Sequence, residues 1–409
     1  MRVVVVSQWF PPESASIPAD IARGIAGLGH DVTVLTGFPN YPTGKIYDGW
    51  HQRPWLDGEL DGFKTRRTAL YPSHDSSAIR RAASYLSFGL TSTIFGWSRL
   101  RSADVIYVYH PPLTSAIGPW LNRRTGGAPY LVHLQDLWPD SVVSADMIHG
   151  GLLSTANGLL SHACAAVYRR ASGIICIAPA MASILNRRGV PEHKLHVVPN
   201  WADESAFFPA SPSPDVARRL GTSGHFTVMF AGNLGHLQGL DVAIRAAATL
   251  RDLPDFRLVI VGDGVARASL AELAMSLGAG NVVFVPPEPV AAMNEITHAA
   301  DVQLVCLRDL PFFRATIPSK LGAVLASGLP VICAVNGDAG QLVSSAGAGW
   351  VCAAEDTEAL ARAFRHSHAS SPAELREHGL AGHRYYVGHL ARDGAIERME
   401  GLMHAASHD

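Results

Sequence analysis

Little in this 409-residue sequence supports cysteine chemistry, a membrane span or nucleic-acid binding. Its five cysteines, Cys164, Cys176, Cys306, Cys333 and Cys352, stand singly, mostly in apolar runs, and none is in a C-x-x-C spacing. They are expected to be reduced core residues of a cytosolic protein, not disulfides or zinc ligands. No stretch approaches the roughly 20 apolar residues that a spanning helix needs. Met1-Arg2 leads into Val3 to Val6, but that run soon meets Pro11-Pro12, so it reads as a buried strand and not a signal peptide. A formal net charge of −2 leaves no basic excess for duplex nucleic acid. There is also no D-x-D triplet of the kind that holds a divalent ion on a diphosphate, so no metal site and no cofactor are expected.

The chain does have apolar content, 48%, enough for two cores at this length. Val3 to Val6, a helix-length segment from Ala19 to Leu28, the stop at Gly29 and the run Val32 to Leu35 make a βαβ pattern of a parallel sheet buried on both faces. Strands of the same type are expected at Val105 to Tyr109, Tyr130 to Leu134, Ile174 to Ala178 and Leu195 to Val198. The rhythm pauses at Ser211-Pro212-Ser213-Pro214 and restarts with Phe226 to Ala231, Phe256 to Val261, Val282 to Val285, Val302 to Leu307 and Pro330 to Ala334. The reading is α/β, with two Rossmann-like domains, 1–203 and 204–385, and a last helix within 386–409.

In open parallel sheets, ligands bind beyond the carboxyl ends of the strands. There the second half offers Gly232-Asn233-Leu234-Gly235, with Gln238 just after, and Gly262-Asp263-Gly264, loops in which backbone N–H groups can approach a phosphate. Thr316-Ile317-Pro318-Ser319-Lys320 opens a helix, with Arg314 six residues before Lys320. A lysine in a first helical turn opposes the helix dipole and suits an anion; the plain alternative is a solvated side chain. In the first half, Asp136 follows the strand Tyr130 to Leu134, and His110 ends the preceding one. Both stand where an acceptor-binding or acid/base group would.

These loops together resemble a family. Phe10-Pro11-Pro12-Glu13, Gly29-His30-Asp31-Val32, Val198 to Asp203, Gly262-Asp263-Gly264 and Pro318-Ser319-Lys320 occur in the order seen in family 4 glycosyltransferases. Gly37 to Lys45, Gln135 to Pro139 and Gly232 to Gly239 are similar to the subgroup that builds bacterial surface polysaccharides such as colanic acid and O-antigen. The resemblance implies a GT-B fold of two facing domains and a retaining, metal-independent transferase. It would use a nucleotide-sugar donor, UDP-linked, bound by Gly232, Asn233, Gln238, Gly262, Gly264, Arg314, Ser319 and Lys320. Asp136 and His110 are then the catalytic candidates. It also implies that the last helix packs on the first domain.

Two departures stand out. The wider family has Arg and Lys where Asn233 and Gln238 occur, and its paired glutamates fall at Ala315 and Ala323. Two alternatives therefore stay open, a sugar-nucleotide 2-epimerase of the same fold and a non-catalytic partner subunit. Finally, Arg66 to Arg101 holds six arginines against the single acid Asp75, around an apolar, aromatic centre. That pattern is suited to peripheral contact with an anionic inner membrane face, where a lipid-linked acceptor would lie.

Overall fold

The computed structural model describes residues 1–74, 77–140 and 153–408; Asp75 lies outside them. The chain divides into two compact units, Met1–Val198 with Ala395–Asp409, and Pro199–Gly394. These boundaries differ from 203/204 and 385/386 because residues 199–203 and 386–394 pack with the second unit. Ala202 is buried beside Leu325 and Val331. Its N–H donates to the Tyr386 hydroxyl at 3.1 Å, and that hydroxyl donates to Glu204 at 2.9 Å.

The first unit is built on strands β1 (Arg2–Val6), β2 (Asp31–Gly37), β3 (Trp55–Leu60), β4 (Phe63–Thr68), β5 (Val105–His110), β6 (Tyr130–Leu134), β7 (Gly173–Cys176) and β8 (Leu195–Val197). Their order is β3-β4-β2-β1-β5-β6-β7-β8, parallel throughout except for β3 against β4. Residues 3 to 6 of β1 are all buried, as expected of a central strand covered on both faces. The β3–β4 hairpin does not show as an apolar run. It is an edge whose β3 is exposed along most of its length, and in β4 Phe63, Thr65 and Arg67 alternate inward.

This placement changes the reading of the arginine-rich stretch. Arg67 is buried and donates to the carbonyls of Gly37, at 2.9 Å, and Pro11. Arg66 is forked onto Asp57 at 2.6 and 2.7 Å. Neither is available to a membrane. Among the described residues, no helix is long and apolar enough to cross one.

The second unit carries β9 (Phe226–Ala231), β10 (Phe256–Val261), β11 (Val282–Val285), β12 (Val302–Cys306), β13 (Val331–Ala334) and β14 (Gly349–Val351). They form one parallel sheet in the order β11-β10-β9-β12-β13-β14. Phe230, Leu258, Ile260, Leu304 and Ile332 share one buried cluster. Each such side chain contributes roughly 1.5–3 kcal/mol by leaving water. Apart from the β3–β4 hairpin at the edge, the direction of progress along each sheet reverses at one point, between β1 and β5 in the first unit and between β9 and β12 in the second. At such a switch point the crossover helices leave on opposite faces, which opens a crevice at the strand carboxyl ends.

Candidate functional site

At the β9/β12 switch point the central residue is Lys320, second in the helix Ser319–Ala326 and the only lysine in residues 199–394. Its ammonium lies 3.0 Å from the centroid of the fully buried Phe230 ring. Among the described residues no carboxylate pairs with it, and burial lowers its pKa to about 7. The residue as a whole is half-buried, so the charged end is the enclosed part. A cation over an aromatic face, without a counter-ion, is prepared for an anion that restores its charge.

The glycine loops press directly on this lysine and on each other. A Cβ at Gly232 (φ +144°) would stand 3.3 Å from the Lys320 Nζ, and one at Gly262 (φ +139°) only 2.0 Å from the Gly232 carbonyl oxygen. A side chain at Gly262 would drive the loops apart, whereas one at Gly232 would crowd the flexible end of the lysine, and both glycines hold a positive φ that a side chain disfavours. Their expected service as phosphate-binding N–H groups needs correction, because those groups are already engaged. Gly232 donates to Val261 at 2.9 Å, Gly262 to Val285 at 3.0 Å, and Gly264 to the Asp263 carboxylate at 2.8 Å. The N–H groups of Asn233 and Gly235 have no such bond among the described residues. The Asn233 side chain lies across Gly264, whose Cβ would meet its Oδ1 at 2.7 Å.

The remaining donor candidates are placed unequally. Ser319 is exposed at the first position of the lysine's helix, where N–H groups have no intrahelical partner. Gln238 ends the single turn His236–Gln238, half-buried, just before Gly239. Arg314 is not a free counter-charge: its guanidinium is forked onto Asp309 at 2.8 and 2.6 Å. Arg308 is held likewise by Asp241 and Glu355 at 2.6 and 2.8 Å.

In the first unit six rings come together: Trp9, Tyr41, His110 and Trp138 from the carboxyl ends of β1, β2, β5 and β6, His74 from the segment after β4, and Tyr85 from the helix Ala78–Ser102. Trp9 lies 5.4 Å from Tyr41 and 6.2 Å from Tyr85, centroid to centroid, and Tyr41 is 4.8 Å from His74. Trp138 is 6.1 Å from Tyr85 and 5.2 Å from His110. Asp136 sits beside this belt, and burial raises its pKa above the ordinary carboxylate range. His110 is 1% exposed, and neither ring nitrogen has a partner among the described residues. Leaving such groups unpaired costs about 1–3 kcal/mol, a cost that an incoming polar ligand could relieve.

Sequence reasoning missed His133, on β6. It is fully buried, its Nδ1 is 2.7 Å from the Tyr107 hydroxyl, and its Nε2 is 3.0 Å from Gln135 Nε2. The signal was a histidine inside an apolar run, two positions before Gln135. Burial lowers the pKa of both His110 and His133 to about 3. The unfolded chain protonates both from about pH 6.5 downward, while the folded unit keeps them neutral. Their contribution to stability is therefore intact above pH 6.5 and falls by roughly 1.4 kcal/mol per pH unit per histidine between there and about pH 3. Urea unfolding at pH 7, 6 and 5 should show this slope, and His133→Gln should lower it by one proton.

Glu13, which closes the Phe10-Pro11-Pro12-Glu13 motif, has a structural role. It is 4% exposed; Oε1 accepts the N–H groups of Asn40 and Tyr41 at 2.7 and 2.8 Å, and Oε2 accepts that of Phe10 at 3.0 Å. One carboxylate thus ties the loop after β1 to the loop after β2, and so fixes Trp9 relative to Tyr41. Glu13→Gln turns one acceptor into a donor facing an N–H, and urea unfolding should show a loss of about 1–3 kcal/mol.

The comparisons with known proteins agree with these two units. Residues 15–201 match the family described as "Glycosyl transferase 4-like domain", and residues 225–369 match "Glycosyl transferases group 1". The putative colanic acid biosynthesis glycosyl transferase WcaI of Escherichia coli is 26% identical over 384 residues, covering 89% of this chain and 91% of that one. The chain is a family 4 glycosyltransferase of the GT-B fold. The transferase is also 25% identical to the probable glycosyltransferase WbjE of Pseudomonas aeruginosa, over 65% of this chain and 66% of the other. Among solved structures, Anabaena Alr3699/HepE in complex with UDP superposes with a TM-score of 0.70 at 14% identity, over 99% of this chain and 100% of that one.

An assignment to a transferase family leaves the two departures in place. Ala315 is buried at the end of the turn Phe313–Ala315, and Ala323 packs partly into the core from the lysine's helix. The carboxylates around this end of the sheet, Asp241, Asp309 and Glu355, are all engaged by Arg308 or Arg314. Lys320 and Arg267 are cations at these strand ends for which no carboxylate partner stands among the described residues, and the Arg267 guanidinium donates to the Gly262 carbonyl at 2.6 Å.

Proposed function

We propose that this transferase moves a sugar from a nucleoside-diphosphate sugar, UDP-linked, to a lipid-linked acceptor, with retention of configuration and without a metal ion on the diphosphate. The observation that carries this reading is Lys320, enclosed and unpaired at the switch point of the second unit. It supplies a full positive charge to the diphosphate, while Ser319 and the N–H groups of Ser319, Asn233 and Gly235 donate hydrogen bonds. As the bond from the anomeric carbon to the leaving phosphate oxygen breaks, the acceptor oxygen bonds to that carbon on the same face, and its proton passes to the leaving phosphate. Asp136 orients the acceptor hydroxyl in the first unit, and the ring belt beside it suits the apolar face of a sugar. The UDP bound by HepE supports the choice of nucleotide. UDP binding by calorimetry, anomeric assignment of the product by NMR, and activity in EDTA test the three parts. Failure to bind any nucleoside diphosphate would overturn the reading.

The acceptor's lipid leads to the helix Ala78–Ser102, which carries arginines and no acid. Ile79, Leu86, Leu90 and Ile94 are 82%, 51%, 55% and 65% exposed, and their spacing of seven, four and four puts them along one helical face. An apolar stripe on a basic helix fits the inner, anionic face of a membrane, and supports a reading in which the enzyme works on the cytoplasmic side of that surface. The transferase should float with anionic vesicles at low salt and not with neutral ones, and Leu90→Glu with Ile94→Glu should abolish flotation. Equal behaviour of the double variant would remove the stripe from the argument.

A further inference from the structure

The last helix, Arg392–Ser407, brings a second kind of chemistry to the first unit. The expectation of no metal site passed over the His404-x-x-x-His408 spacing in the sequence itself. In the fold, His404 Nε2 lies 2.8 Å and His30 Nε2 3.0 Å from the same oxygen, Glu400 Oε1. All three ligand-capable atoms fall within 4.8 Å of one another. His30 stands in the turn before β2, while Glu400 and His404 are one helical turn apart, so two distant segments converge. We infer that His30, Glu400 and His404 form a binding site for a divalent transition-metal ion of the zinc class.

Two imidazole nitrogens and one carboxylate oxygen are a borderline-soft donor set that suits zinc better than magnesium or calcium, with a water completing four-coordination. His30 and Glu400 are largely shielded, whereas His404 is about half exposed, which leaves a path for the ion. The other neighbour of His30 is the Met1 nitrogen, 3.1 Å from Nδ1. The site lies at the amino end of β2, the opposite edge of the sheet from Asp136 and His110, so it takes no part in sugar transfer. Its effect is to fasten the returning helix: Met399, in the same turn, is fully buried and its sulfur accepts from the Tyr107 hydroxyl at 3.3 Å.

The test is zinc binding by the full-length protein, read by competition with a chromogenic chelator and by thermal melting, for wild type, His404→Ala and Glu400→Gln. Wild type should bind one equivalent more than His404→Ala. Affinity at this site should fall at least about tenfold in either variant, the lower end of what even outer-shell changes cost a metal site. Zinc should raise the melting temperature of wild type only, magnesium should leave it unchanged, and UDP affinity should be the same with and without zinc. Equal zinc stoichiometry in wild type and His404→Ala, or no zinc-dependent melting shift in wild type, would overturn the inference. His404 is exposed enough that its replacement leaves the fold intact, so it decides the matter even if Glu400→Gln unfolds.

Discussion

Lys320→Ala will weaken UDP binding by roughly 2–3 kcal/mol, on the order of 30- to 150-fold, and will leave uridine binding almost unchanged. The size of the effect follows from the surroundings. Among the described residues no carboxylate neutralises this lysine, Arg314 is held by Asp309, and the glycine N–H groups nearest it are already bonded. The Arg267 guanidinium is engaged by the Gly262 carbonyl at 2.6 Å, and Ser319, Asn233 and Gly235 offer hydrogen bonds without a charge. The pKa near 7 adds a pH signature. A bound diphosphate raises that pKa, so wild-type binding takes up a proton near neutrality and weakens as pH rises above 7. In the free protein the sign is opposite. The unfolded chain holds the proton up to about pH 10.5, so this residue's contribution to stability improves as pH rises from 7 toward that value. Calorimetry with UDP and uridine between pH 6.5 and 8.5, on wild type and variant, separates this from the titration of UDP itself. Equal losses for both ligands would move the phosphate site elsewhere.

Asp136→Asn should lower turnover by about 10²- to 10⁴-fold while donor affinity stays within a factor of two or so. Asparagine keeps the shape and removes the charge. Burial raises the pKa of Asp136, and its field extends to the hydroxyls of Tyr109 and Tyr85. A carboxylate in that setting is a strong acceptor for a sugar hydroxyl, and its protonation at higher pH than usual should set the acid limb of activity. Transfer of labelled sugar into the lipid fraction gives the rate, and calorimetry with UDP gives the affinity. A collapse of UDP binding in the variant would place Asp136 on the donor side and refute its role.

The strands with continuous apolar runs were legible in the sequence because a central parallel strand is covered on both faces. Val3 to Val6, Tyr130 to Leu134 and Phe256 to Val261 can be read directly. The β3–β4 hairpin and the three-residue β14 were not, since edge strands keep polar side chains on their open face and carry little periodic signal. The order of motifs placed Lys320, Asp136 and the glycine loops at strand ends. It also fixed the family, which the comparisons bear out. Sequence alone therefore determined the fold class, the kind of enzyme and the positions along the chain from which each loop starts. Tertiary structure decided which side chains are free to act. Arg314 turned onto Asp309, Gly232 and Gly262 gave their N–H groups to neighbouring strands, and Glu13 joined two loops 27 residues apart. His30 met Glu400 across 370 residues. The physical reason is that apolar periodicity is a local property set by burial, whereas the partner of a charge or of an N–H is set by whichever distant segment the fold brings within about 3 Å.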